Sequence, residues 1–302
     1  MIANRLDRGV TRSARIRLLM VTNPLVVLSA AILTLLAVMA VAAPWILTLL
    51  ELDPNATDLF NIKAPPGPGH PLGTDEAGRD VLARLILGSR TSLIVGMTAA
   101  IASAAIGTII GLWAGYFGGR LDSMLMRLTD GVIALPFLPL LIVLSAIDYS
   151  KVGLGFLMEG SGLMRIVLIV SLVAWPTVAR LVRAETMSIK ARDFVTAARA
   201  QGATPFMIMR RHILPNVQAT IVVATTLSIG NVILLESVLS FLGLGIRPPT
   251  PSWGNMLTNA QSYLWDSPEL AFWPGMAIFV TVIAFNFLGD GLQDALNPKR
   301  RL

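Results

Sequence analysis

Cysteine is absent from the 302 residues, which excludes disulfides, thiolate catalysis and cysteine-based metal sites. Histidine is nearly absent. His70 and His212 stand far apart and flank different segments, so no metal site is expected in this chain. Glycine never precedes lysine: the four lysines follow Ile62, Ser150, Ile189 and Pro298. A phosphate-cradling loop needs a Gly-Lys-Ser/Thr step, and no zinc-protease or serine-hydrolase motif is present either. The chain is therefore expected neither to bind ATP by itself nor to catalyse hydrolysis. Charge is also sparse, at 14% of residues, against about 25% in soluble domains.

What fills the sequence is apolar residues, with a mean hydropathy of +0.70. Six windows are long enough to cross a bilayer, which takes about 20 mostly apolar residues. They run at about Pro24–Leu50, Ser89–Tyr116, Leu128–Ile147, Leu163–Val182, Val217–Leu242 and Ala271–Gly291. The expected fold class is thus an all-α integral membrane protein with six transmembrane helices. A basic start followed by an apolar run, with Ala40-Val41-Ala42 downstream, has the outline of a signal peptide. The run exceeds the 7–15 residues of a signal core, so an uncleaved first span is expected. Glu51–Gly73 reads as an irregular connection and Thr74–Gly88 as a short amphipathic helix along the membrane surface. Two units follow: 1–88, with tail, first span and connection, and 89–302, a five-helix core. Pro136 and Pro176 are expected to kink their helices.

Charge asymmetry sets the orientation. An even number of spans puts both termini on one side. Placing them in the cytoplasm assigns Arg5, Arg8, Arg12, Arg15, Arg17, Arg120, Arg127, seven basic residues around 180–211 and Lys299–Arg301 to that side. That is seventeen basic residues against seven outside. Lipid and loop topology account for the net charge of +6, and no nucleic-acid partner is implied.

Asp193–Asn216 is the polar interruption around which the spans are arranged. Asp193–Gln201 is helix-forming, with Ala197, Ala198 and Ala200 giving a small-residue surface. Gly202 suits a left-handed helix end. Beyond Ala203, Thr204 is a plausible N-cap and Pro205 a first helical residue. Pro215 is expected to stop this second helix. Such a knuckle fits docking of another protein on the cytoplasmic side. A DNA-binding helix-turn-helix does not fit, because the second helix is short and mostly apolar. Within the spans, Asn231, Glu236 and Asn286 are the notable polar residues, with Asp290 near the end of the last. Each is a candidate for the translocation path or for a plain interhelical contact. The long stretch from Gly243 to Leu270 is read as an external plug or partner contact.

The knuckle resembles the EAA signature of ATP-binding-cassette importer permeases, E-A-A-x3-G-x9-I-x-L-P. Here it reads Thr196-Ala197-Ala198, Gly202, His212, Leu214 and Pro215, with Thr196 in place of Glu and His212 in place of Ile. The loop covers about 184–216. His212-Ile-Leu-Pro-Asn216, the runs from His70 to Asp80 and from Ala114 to Gly119, Phe241–Gly245, Pro248–Gly254 and Phe287–Gly291 are similar to the second permease of the oligopeptide/dipeptide/nickel branch. The resemblance implies the core of a type I importer permease and a bacterial inner-membrane location. It also implies a partner B-type permease, two ATPase subunits that hold ATP and Mg, and a periplasmic substrate-binding protein. The coupling contact would then be Thr196, Ala197, Ala198, Gly202, Ala203, Thr204, Pro205, His212 and Pro215. The substrate would be a peptide or a related small solute. The rival expectation is an ion- or proton-driven transporter relaying through Glu236 or Asp290; a structural or receptor-like subunit is a third.

Overall fold

The computed structural model describes residues 23–153, 155 and 162–296. The N-terminal arginines and Lys299, Arg300 and Arg301 lie outside the described residues. Among the described residues the regular structure is helical, apart from two isolated bridges, Gly67 with His70 and Thr74 with Asp80.

Helix α1, Pro24–Leu49, starts where Asn23 accepts from the Leu25 amide and Pro24 takes the first turn. Helix α2 runs unbroken from Val81 to Phe117, 37 residues, or about 55 Å. The surface helix expected over Thr74–Gly88 is therefore not a separate element. Asp80 caps α2 by accepting from Ala83 N at 2.7 Å, residues 81–88 form its first two turns, and Thr74–Asp80 is loop. A continuous helix wins because nothing between Val81 and Ser89 stops one. Gly88 stays helical with Trp253 packed 3.4 Å from where its Cβ would be.

The third expected span is broken. Helix α3, Gly119–Ala134, and α4, Phe137–Ala146, meet at 91° across Leu135 and Pro136. Pro136 offers no amide, and its ring pushes the preceding residue out of the helical region. Leu135 accordingly has φ −70° and ψ 135°. A kink was expected here, and the outcome is an elbow. Pro176 behaves differently, sitting buried inside α5, Leu163–Lys190, without interrupting it. Helices α6, Asp193–Ala200, and α7, Pro205–Ile208, form the knuckle. A π turn, Met209–Ile213, joins α7 to α8, Leu214–Phe241. After a loop and the single-turn α9, Ala260–Tyr263, comes α10, Glu269–Leu296. Among the described residues, five helices are long and apolar enough to span a membrane, six if the α3–α4 elbow counts as one crossing.

The tightest seam joins α2 and α5. Gly107, Gly111 and Gly115 recur every four residues on one stripe of α2, and a Cβ on any of them would meet α5 at 2.6–2.7 Å. Small residues let two backbones approach closely in lipid, where apolar burial gives helices little reason to associate. Around this pair, α8 packs on α2, α5 and α10, and α1 packs on α2 and α10. Helices α5 and α8 each carry the knuckle at one end and approach the Gly243–Thr258 loop at the other, so the bundle has a knuckle end and a plug end. Asn23 and Leu296, the first and last described residues, both lie at the knuckle end: α10 runs antiparallel to α8, with Gly230 against Val282 and Gly289 against Leu227, and Val26 packs against Gly291.

Candidate functional site

The knuckle is rigid for reasons visible in its residues. Gly202 has φ +81°, its amide donates to Arg199 O at 3.0 Å, and the Ala203 amide donates to Ala198 O at 3.1 Å. The helix end is thus closed by two bonds that need a left-handed residue between them. Thr204 Oγ1 then accepts from Met207 N at 3.3 Å, and Pro205 occupies the first helical position. Underneath, Val195, Ile208 and Ile213 are fully buried in one apolar cluster with Tyr116, Val182, Ile189 and Val217. The knuckle therefore shares a core with the ends of α2, α5 and α8. Losing the Thr204 cap costs about 1 kcal/mol. Thr204→Ala is expected to speed hydrogen exchange at the Met207 amide about fivefold, with Thr204→Ser restoring it.

Pro215 does not stop the second helix. The chain passes from α7 through the π turn into α8, with the Leu214 amide donating to Met209 O five residues back. Pro215 brings no amide to the ladder, and one wide turn absorbs the missing bond. Asn216 Nδ2 donates to His212 O at 2.6 Å and covers a carbonyl beside the gap. The second limb of the knuckle and the span are therefore one continuous helical rod.

The knuckle's outward face holds Thr196, Ala197, Gly202, Thr204 and Pro205, all exposed. Ala198 does not belong to it, since helical spacing turns it inward beside Val195 and it is buried. Ala203 and His212 are half-buried, and the His212 ring lies 6.4 Å from that of Phe194 across the two limbs. The sequence reading missed Phe206, which is 69% exposed on this face, and Met207 beside it. The signal was available, because an apolar residue directly after an N-terminal Pro points away from the buried Ile208 side. Beside this apolar core, polar pairs tie together the helix ends next to the knuckle. Lys190 Nζ sits 5.5 Å above the Tyr116 ring, and Arg183 grips Asp122 with two bonds of 2.5 and 2.6 Å. Arg180 reaches Asp130 at 2.6 Å, so α3 follows α5.

The three polar residues proposed within the spans are separated. Asn231 lines a cavity of about 410 Å³ between the α3–α4 elbow, α5 and α8, with Phe137, Pro176, Thr177, Ser228 and Leu235. Leu135 and Phe137, on either side of the Pro136 break, both line it. Asn286 lies at the α8–α10 seam, its Oδ1 3.7 Å from the Cβ position of Gly230. Glu236 has no exposed surface and accepts hydrogen bonds from Ser240, Ser252 and Ser92 at 2.7, 2.9 and 3.3 Å. Asp290 is exposed at the knuckle end. Arg165 and Arg84, counted as loop charges in the orientation tally, are both buried. Arg84 Nε lies 3.4 Å from Asp75. Among the described residues no group of acidic or histidine side chains is arranged to hold a metal.

Residues 107–302 match the family model of the binding-protein-dependent transport system inner membrane component. The chain is 41% identical over 256 residues to the glutathione transport system permease protein GsiD of Pectobacterium atrosepticum, covering 84% of this chain and 81% of that one. It is 40% identical over 265 residues to the protein of the same name from Escherichia coli O6:K15:H31, covering 88% and 83%. In fold it is similar to a chain of the MetNI methionine ABC transporter solved in an inward-facing conformation. That match has a TM-score of 0.57 and 20% identity, and covers 71% of this chain and 96% of that chain.

Proposed function

Because the chain belongs to the family of binding-protein-dependent transport system inner membrane components and is a permease subunit of an ABC importer, we propose how it divides the work with its partners. A second, homologous permease completes the translocation path across the wall that carries the α3–α4 elbow. Two ATPase subunits bind ATP and Mg and seat the knuckle, and an extracytoplasmic binding protein delivers the solute. The knuckle end faces the cytoplasm together with both termini, and residues 89–302 form the transporting core. One observation carries this reading: a capped, buried-core knuckle shares its apolar core with the ends of α2, α5 and α8, and its second limb runs unbroken into α8 beside the cavity. A load applied at Ala197, Gly202 and Phe206 moves rods, where a slack loop would only bend. Two-state closure of the ATPases would in this way shift the equilibrium between inward and outward states.

The substrate class we infer is a short peptide such as glutathione, on the strength of the relatives' names. A proton- or ion-driven mechanism fits less well, since Glu236 accepts from three serines and has no exposed face. The test is co-purification in mild detergent followed by uptake in proteoliposomes with the cognate binding protein. Two ATPases, a second permease and ATP-dependent glutathione uptake are expected. A solitary protein driving uptake from an ion gradient would overturn the proposal. Phe206→Glu places a charge on the docking face and is expected to release the ATPases about tenfold more readily, while the second permease stays bound.

A further inference from the structure

The loop that follows α8 is built as a plug with a buried carboxylate at its root. Each of three serines donates its hydroxyl to Glu236 and, with the same oxygen, accepts a backbone amide of the loop. Ser240 takes Ile246 N at 3.2 Å, Ser92 takes Trp253 N at 3.2 Å and Ser252 takes Asn255 N at 3.1 Å. A hydroxyl has one hydrogen and two lone pairs, so this arrangement uses a donor and an acceptor of every serine. Glu236 is the terminal acceptor in which all three chains end.

Loop carbonyls are held from the opposite side. Arg165 Nη2, buried at the start of α5, donates to Leu244 O at 3.1 Å and to Gly245 O at 3.4 Å. Trp253 is fully buried and donates Nε1 to Leu85 O at 3.1 Å in the second turn of α2. Gly254 presses on Ser237, where a Cβ would come within 2.6 Å of Cα, and Gly245 presses equally on Ser240. Helices α2, α5 and α8 thus all hold the loop.

We propose that Glu236 is a positioning residue for transport, the root of a latch that seats Gly243–Thr258 as a rigid cap on the outer end of α2 and α8 and does not touch the solute. A buried carboxylate among hydroxyls has a structural logic here. Backbone amides forced under a helical end need acceptors, and helix α8 can offer them only through side chains. The serines extend the reach of one carboxylate to three separated points. Outer gating, on the permease reading above, then moves the cap together with its helices.

The absence of native cysteine makes the test clean. Ile246 is 3% exposed on the buried side of the cap, so Ile246→Cys in the full-length protein in native membranes reports unseating by its rate of maleimide labelling. Glu236→Gln, Ser92→Ala and Ser252→Ala are each expected to raise that rate about tenfold, since each removes a buried acceptor or donor. The double variant Ser92→Ala/Ser252→Ala should give less than the product of the singles, because both chains end on one carboxylate. Maximal uptake should fall about tenfold in Glu236→Gln with the half-saturating peptide concentration unchanged. The ranking of acidic, neutral and basic peptides should also hold. Unchanged labelling overturns the latch, and so does a re-ranking of peptides by charge, which would place Glu236 in the solute path. The two serine variants remove single oxygens and guard against a misfolded Glu236→Gln. Labelling needs no transport, so the latch stands or falls independently of the importer reading.

Discussion

Gly202→Val in the assembled importer is expected to cut uptake to below about a tenth while the subunit still inserts and binds its partner permease. The argument has two parts, and companion variants separate them. At φ +81° a β-branched residue is strained by about 1–2 kcal/mol. In addition, the surface at Gly202 is open, with no described residue within 4 Å of an added Cβ, so a side chain there would reach the proposed ATPase contact. Asparagine tolerates the left-handed region, and Gly202→Asn is expected to retain roughly half of the uptake. Gly202→Asp has similar backbone tolerance but carries charge into the contact, and should uncouple ATP hydrolysis from uptake. Parallel ATPase and uptake assays decide the matter. Wild-type uptake in Gly202→Asp would remove the knuckle from the coupling path. Ala198 is a poor companion for this test, because it is buried in the knuckle and its enlargement would act through folding. Ala197 is exposed and serves instead.

Gly111→Val is expected to have an effect of similar size for a different reason. Its Cβ would lie 2.6 Å from Ala179 O, 2.8 Å from Val182 Cβ and 3.0 Å from Arg183 N. Two of those three atoms are backbone, which cannot swing aside as a side-chain tip could. Overpacking a fitted core costs about 1–3 kcal/mol where side chains can adjust, and more where they cannot. Here the seam between α2 and α5 must open, and with it go the Arg183–Asp122 grip and the Lys190–Tyr116 contact at the knuckle end. Accumulation of the folded subunit, followed by size-exclusion chromatography of a fluorescent fusion, should fall at least about fivefold. Gly131 on α3 supplies the control, since a Cβ there meets no described residue within 4 Å. Gly131→Ala should leave accumulation unchanged or raise it slightly, because alanine is the better helix former by about 1 kcal/mol. Equal losses at Gly111 and Gly131 would show that the seam does not depend on close backbone approach.

Much of the fold and of the knuckle was legible because the information is local. Hydropathy over some twenty residues marks a helix that can cross lipid, and it located five long helices and the region of the elbow. In Gly202-Ala-Thr-Pro205 a left-handed residue, a cap and a helix start stand within four positions, so the bend could be read directly. Local reading failed where two local rules compete. Pro136 and Pro176 carry the same missing amide, yet one breaks its helix and the other is held within it by close packing along the Gly107 stripe. Pro215 likewise marks the end of a helix by rule, whereas a π turn carries the rod through.

The sequence by itself determined the class of molecule, the apolar spans and the chemistry of the knuckle, since each depends on neighbours within a few turns of chain. Only the tertiary structure decided what the isolated polar residues touch. Glu236 meets Ser92 across 144 positions and Trp253 reaches Leu85 across 168. A carboxylate in an apolar run looks the same in sequence whether it lines a path or roots a latch. Its partners come from other helices, and in lipid those partners set its role, because a buried polar group must be satisfied by whatever the packing brings to it.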